Sequence, residues 1–268
     1  MSERRTAWLA LAALLAAVAD APAATPDAQA VMAQVYGEDH SRDATLAASF
    51  TVYDASGHAT VKKFLYRRLR SGVSVSERLT FTEPAEVRGV ELLSVGAAAP
   101  AVRQYIYLPA QQRTRALAPQ QRSALFLGTD FTFEDLHAHA LGDFRYRLLG
   151  SGEPLDGHRT WLLEATPAAG ADTQYSRIEI SVAEDAPVIL REKLYAADSA
   201  PVRVLTATRL VRVSGIWGAR RLDMTTPAGH THTVLAIDSV RFDGGLPASL
   251  FEPGRLPDPV PAFVTGKD

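Results

Sequence analysis

Two pairs of histidines are the first groups in this chain that could do chemistry. His230 and His232 stand at i, i+2, which on a strand turns both rings to one face, and His137 and His139 follow the carboxylates Asp130, Glu134 and Asp135. Imidazoles beside carboxylates are a ligand set for a divalent ion, and they make a His/Asp metal-dependent hydrolase one reading of the chain. The rest of the sequence does not support it. There is no H-E-x-x-H spacing, Thr231 and Thr233 flank the second pair as on a solvated strand, and neither a G-x-S-x-G elbow nor a G-x-x-x-x-G-K-[ST] loop occurs. With no cysteine the chain also lacks thiol nucleophiles, Cys-ligated zinc, iron–sulfur clusters and a lipid-anchoring residue. The expectation is a non-enzyme with no catalytic residue, no cofactor and no metal. Lys and Arg number 28 against 30 Asp and Glu, so no basic excess points to nucleic acid.

Binding is the other chemistry to weigh, and it concentrates in Leu125–Leu136. Phe126, Phe131, Phe133 and Leu136 crowd around Gly128, with Thr132 and Asp135 spaced as in a short capping box, so a brief helix is expected to start there. One reading is a lid of Phe126, Gly128, Phe131, Phe133 and Leu136 that hinges at the glycine, with Asp130, Glu134 and Asp135 keeping its outer side in water. The other is a plug that packs a core and does not move. Arg88, Arg113 and Arg115 are candidates for the rim of a cavity, where guanidinium groups meet anionic headgroups; arginines in such settings also snorkel over apolar surface.

The elements that must position these groups are strands. A single amphipathic helix is expected first, with Thr25 as cap, Pro26 at its first position, Val31 with Val35 and Met32 with Tyr36 on its apolar side, and Gly37 at its end. The period then changes from 3.6 to 2. Phe50 and Val52 alternate with Ser49 and Thr51, Val73, Val75, Leu79 and Phe81 oppose Ser74, Ser76, Arg78 and Thr80, and Ile178 and Ile180 alternate with Arg177 and Glu179. Eleven or twelve such segments in succession argue for a mostly β chain built as one large antiparallel sheet, which must curl because twist accumulates. The ends are set apart. Arg4 and Arg5, the apolar run Ala7–Ala19 and the small-residue site Ala21-Pro22-Ala23 read as a secretory signal peptide over residues 1–23, too short to span a bilayer. Residues 24–257 form one domain, and the Pro-containing stretch 258–268 is expected to be a disordered tail. The mature protein is expected to be soluble, exported and not membrane-spanning.

Several segments together resemble the outer-membrane lipoprotein-sorting proteins, related to the LolA and LolB lipoprotein carriers. They are Phe81–Val90, Tyr107-Leu108-Pro109 followed by Arg113 and Arg115, Tyr175, Gly215-Ile216-Trp217, Phe251 and above all Leu125–Leu136; Phe133 stands where the family often has tyrosine. The resemblance covers about residues 27 to 257. It implies a half-closed antiparallel barrel covered by helices, whose hydrophobic interior holds the acyl chains of lipoproteins or lipids in the periplasm, with a transporter of the resistance-nodulation-division type or an outer-membrane receptor as partner. A lipid- or lipoprotein-sensing regulator would share every one of these features. On this reading Leu79, Phe81, Leu92, Trp161, Leu163, Ile178 and Ile180 are expected to face the cavity, by strand parity.

Overall fold

The computed structural model of the protein describes residues 26–96, 102–197 and 200–258. Residues 1–23, read as a signal peptide, and residues 259–268 of the expected tail lie outside the described residues. Helix α1 (Ala28–Glu38) opens the domain. Its cap is Asp27, whose carboxylate accepts a hydrogen bond from the Ala30 amide at 2.9 Å, and it runs through Gly37 to Glu38. Ala28 and Met32 are its buried residues; Val31, Val35 and Tyr36 pack partly buried beside them.

Thirteen strands follow among the described residues. They are β1 (Asp43–Tyr53), β2 (Ala59–Ser71), β3 (Ser74–Glu83), β4 (Glu91–Val95), β5 (Arg103–Leu108), β6 (Arg113–Ala116), β7 (Phe144–Ser151), β8 (Thr160–Pro167), β9 (Arg177–Ala183), β10 (Ile189–Tyr195), β11 (Arg203–Val213), β12 (Ile216–Thr226) and β13 (Thr231–Phe242). All lie in one antiparallel sheet of order β6-β5-β4-β3-β2-β1-β13-β12-β11-β10-β9-β8-β7. The chain therefore meanders from β1 outward to β6, crosses the whole sheet, and meanders back from β7 to β13, which pairs with β1. Edge strands β6 and β7 do not pair with each other, so the curled sheet stays open along one side. Strand β6 is the one that alternation does not reveal: it is four residues long, three of them exposed.

The two faces are covered by different means. Among the described residues α1 is the only α-helix, lying against β7, and the rest of the concave face is crossed by the irregular segment that joins β6 to β7. Cover by helices, in the plural, is thus corrected to one helix and one strap. On the convex side Phe251 and Leu256 pack with Leu93, flanked by Leu69, Val95, Tyr105 and Tyr107. Arg78, fully buried, holds this segment: its Nε donates to Glu91 Oε2 at 2.5 Å while its two terminal nitrogens donate to the carbonyls of Leu250 (3.0 Å) and Leu256 (3.1 Å). Asp258, where the tail was expected to begin, still donates its amide to Arg255 O at 3.0 Å.

Candidate functional site

Register builds the concave face pair by pair. Phe64 lies opposite Phe81 and Leu79 opposite Leu92 in one half; Leu163 lies opposite Ile180 and Ala165 opposite Ile178 in the other. Of the seven residues expected to face inward, Leu79, Phe81, Leu92, Leu163, Ile178 and Ile180 are buried in a single core cluster, and Trp161 packs against it half-buried. They meet aromatic rings of the strap. Phe131 sits 5.4 Å from Phe50 and Phe126 sits 5.7 Å from Phe81, with Phe133 edge-on to Phe126 at 5.2 Å. Leu136 packs half-buried on the same cluster. Gly128 is exposed at φ +75° at the outer turn, a backbone conformation that penalises a side chain.

Polar groups on the inner face hold the strap along its length. Lys62 Nζ donates to Leu127 O at 2.8 Å, and Gln104 Nε2 donates to Phe133 O at 2.7 Å. The Asp130 carboxylate accepts from three hydroxyls, those of Thr226 (2.7 Å), Thr231 (2.5 Å) and Thr233 (2.7 Å), at the β12–β13 turn. Glu134 accepts from the Thr173 hydroxyl and from the Gln174 amide at 3.0 Å. Asp135 accepts from Thr132 N and Oγ1, both at 2.7 Å, and its amide donates back to Thr132 Oγ1 at 3.3 Å, so the capping pair forms and opens the short 3₁₀ turn Glu134–Leu136. Its second oxygen accepts from Tyr175 OH at 2.5 Å, which in turn accepts from Arg203 Nη2 at 2.7 Å. Burial pushes the Tyr175 phenol far above its ordinary range, and the Asp135 charge adds to this. The strap ends where the Ala138 amide donates to Glu77 Oε2 at 3.0 Å; burial raises that carboxyl's pKa although Tyr66 OH donates to it at 2.5 Å.

These contacts correct one expectation. Asp130 and Glu134 are 3% and 2% exposed and the Asp135 side chain 7%, so the three carboxylates do not face water but fasten the strap to the sheet. The partners were unrecognised in the sequence, although a signal exists: Lys62, Gln104, Arg203 and Thr233 each stand in the apolar phase of their strand, two residues from Phe64, Ile106, Leu205 and Leu235.

The histidine pairs part company. His230 is not on the strand but in the turn before it, in left-handed conformation at φ 51°, while His232 stacks on Tyr53 at 4.4 Å. His137 and His139 meet edge to face at 4.7 Å, but among the described residues no group of three or more His, Asp or Glu is placed to hold a metal. Arg113 and Arg115 are exposed on edge strand β6, and Arg88, also exposed, donates to Thr82 O at 3.1 Å within the β3–β4 turn.

A cavity of about 490 Å³ opens beside the strap, between the β2–β3 hairpin, the β8–β9 loop and Tyr36 of α1, with His137–Phe144 as its floor. None of the seven inward residues lines it. Burial, helped by the neighbouring His139, pulls the His137 pKa down to about 4. Burial also opposes charge on His139, but Asp143 and Glu134, at 3.8 and 4.0 Å, outweigh it and hold that pKa above the ordinary imidazole value.

An open antiparallel half-barrel with one helix and a strap across its concave face is the LolA-like fold. The chain is similar to a DUF1329 family protein from Desulfovibrio piger (26% identity, TM-score 0.81, covering 85% of this chain and 97% of that one). A putative outer membrane lipoprotein-sorting protein domain from Vibrio parahaemolyticus (21%, TM-score 0.80, 85% and 97%) and a LolA superfamily protein from Nitrosomonas europaea (17%, TM-score 0.67, 85% and 98%) share the fold. A family model described as "Uncharacterized protein" matches residues 75–258, more than half of the chain, and the chain belongs to that family. No curated protein matches it at a significant level.

Proposed function

We propose that the protein is a soluble periplasmic carrier that shelters the acyl chains of lipoproteins or lipids inside the half-barrel during transfer towards the outer membrane, and that it catalyses no reaction. The observation that carries this reading is an apolar concave face covered by a segment that is fastened to it by polar contacts. Among the described residues no helix is long and apolar enough to cross a membrane. The likeness in fold to lipoprotein-sorting and LolA superfamily proteins supports the same reading.

Magnitudes make the exchange feasible. Withdrawing Phe126, Phe131 and Phe133 from the interior costs about 1.5–3 kcal/mol each, and each methylene that takes their place returns about 0.8 kcal/mol. One long acyl chain roughly balances the strap, and two or three outweigh it together with the ordering cost. Release then needs only an acceptor that restores the strap.

The test is native mass spectrometry and lipid extraction of protein purified from the exported compartment, with transfer of a fluorescent acyl lipid between vesicles as the second readout. The expected result is a co-purifying acylated species and protein-dependent transfer. A lipid-free protein that fails to displace a fluorescent fatty acid from solution overturns the proposal, and binding without transfer favours a sensor.

A further inference from the structure

Lys62 is a cation of the covered interior without a counter-charge. It stands on β2 opposite Phe50 of β1, in phase with the buried Phe64, so it belongs to the concave face. Among the described residues its hydrogen bond to Leu127 O is the one it makes, and it takes part in no ion pair. An ammonium carries three donors, so two are left without a protein acceptor. Burial lowers its pKa, with no neighbouring charge to oppose that. By contrast Arg203 on β11 and Arg122 in the strap each have a carboxylate, Asp135 at 3.6 Å and Asp172.

The carbonyl that Lys62 holds belongs to a disfavoured turn. Leu127 and Gly128 are both left-handed, at φ 47° and 75°, and the Thr129 amide donates to Phe126 O at 2.9 Å, closing a tight turn over Phe126–Thr129. Such a turn favours glycine, asparagine or aspartate at both central positions, and Leu127 is none of these. The lysine acts as a latch on it. Phe50 stacks on Phe64 at 4.6 Å and is covered by Phe131 at 5.4 Å, so lifting the strap bares an apolar track that starts beside the ammonium. Lys62 is half-buried and Gly128 exposed, which leaves the head of a chain laid on that track within reach of water.

We propose that Lys62 is the head-group site for an anionic acyl ligand: its ammonium exchanges the Leu127 carbonyl for a carboxylate or phosphate oxygen, and the exchange unlatches the strap. The inference rests on the carrier reading and names the acyl ligands it would select, those with a negatively charged head over those whose chains end in an uncharged ester, amide or alcohol. A charged oxygen forms the stronger hydrogen bond to the ammonium and supplies the missing counter-charge, where Leu127 O supplies only a dipole.

The experiment titrates dodecanoate, dodecyl phosphate, dodecylamine and dodecanol into the wild-type protein, Lys62→Met and Lys62→Arg at neutral pH, with melting curves to show that each variant is folded. Dividing each affinity by that for dodecanol removes any general loosening of the strap. At least one anion is expected to bind about tenfold more tightly than dodecylamine, and the tighter of the two gives the head as carboxylate or phosphate. Lys62→Met is expected to lose about tenfold for that anion relative to dodecanol, and Lys62→Arg to keep most of it. The bound anion is also expected to speed hydrogen exchange of the Thr129 amide. Dodecylamine binding as tightly as both anions, an anion-to-dodecanol ratio unchanged in Lys62→Met, or a loss in Lys62→Arg as large as in Lys62→Met would overturn the proposal. So would a Thr129 amide that exchanges no faster with the anion bound. Each of these leaves the carrier reading intact if dodecanol binds. Failure of all four amphiphiles would remove both.

Discussion

Phe131 is the residue at which a moving strap and a fixed plug give opposite results. It is 5% exposed and touches Phe50, so as a static core residue its truncation to alanine removes about 3–5 kcal/mol of stability and leaves ligand binding normal while the protein is folded. As part of a displaceable cover, Phe131→Asp weakens binding of a fluorescent fatty acid far more than it lowers the melting temperature. We expect the second outcome, and melting curves with probe titrations on both variants decide it. Glu192 gives a pH signature at the same scale. Its pKa rises from 4.5 to about 7 on folding, so the folded state holds the proton more tightly. The associated stability is complete below about pH 4.5 and is lost as pH climbs through 7, up to about 3 kcal/mol. Glu192→Gln should flatten that decline in a pH series of denaturant melts. His137 acts in the opposite sense, its contribution being present above 6.5 and lost as pH falls through about 4.

At the scale of elements, the strap and the C-terminal segment are both held by buried charge, with different expected consequences. Asp130 accepts from three threonines that the chain brings together only when β12 and β13 form their turn. Asp130→Ala should take away the acceptor of all three hydroxyls, leaving Thr233 only the backbone amide of residue 130, cost about 2–3 kcal/mol and raise the on-rate for the fatty-acid probe in stopped-flow mixing. On the convex side Arg78→Ala strands Glu91, whose pKa burial already raises, and should cost about 3–5 kcal/mol with early proteolytic loss of Leu246–Asp258, without changing probe affinity. The contrast also marks what was legible in the sequence. Strand parity sorts residues by face because an alternating strand has only two, and Leu79 and Leu92, opposite each other in the register, share one. The short turn at Glu134 follows from Thr132 and Asp135, three residues apart. The fate of the Asp130 and Glu134 carboxylates did not follow from local pattern: acidic residues beside a glycine look solvated until Thr233 and Gln174, far along the chain, are placed next to them. His230 was misplaced because a turn residue in left-handed conformation breaks the alternation that His232 obeys. Strand β6 was missed because an exposed edge needs no apolar phase.

For the molecule as a whole, stability should grade from the middle of the sheet outward. β1, paired on both sides by β2 and β13 and carrying Phe50, is expected to exchange its amide hydrogens slowest, and β6, four largely exposed residues on an open edge, fastest. Hydrogen-exchange mass spectrometry reads this directly, and added ligand, by displacing the strap, should speed exchange in Phe126–Leu136 while leaving β1 slow.

The pairing of β1 with β13 also sets an order of events in time. Strands β1 to β6 can zip as they emerge, since each neighbour is next in sequence, and so can β7 to β13. The central contact has to wait for a strand that is made almost two hundred residues after its partner. Until then the inner strand of the finished sheet is a bare edge carrying Phe50 and Val52 in an incomplete chain. Folding thus ends at the sheet's centre, and the segment most in need of protection while the chain is unfinished is the one most deeply enclosed at the end.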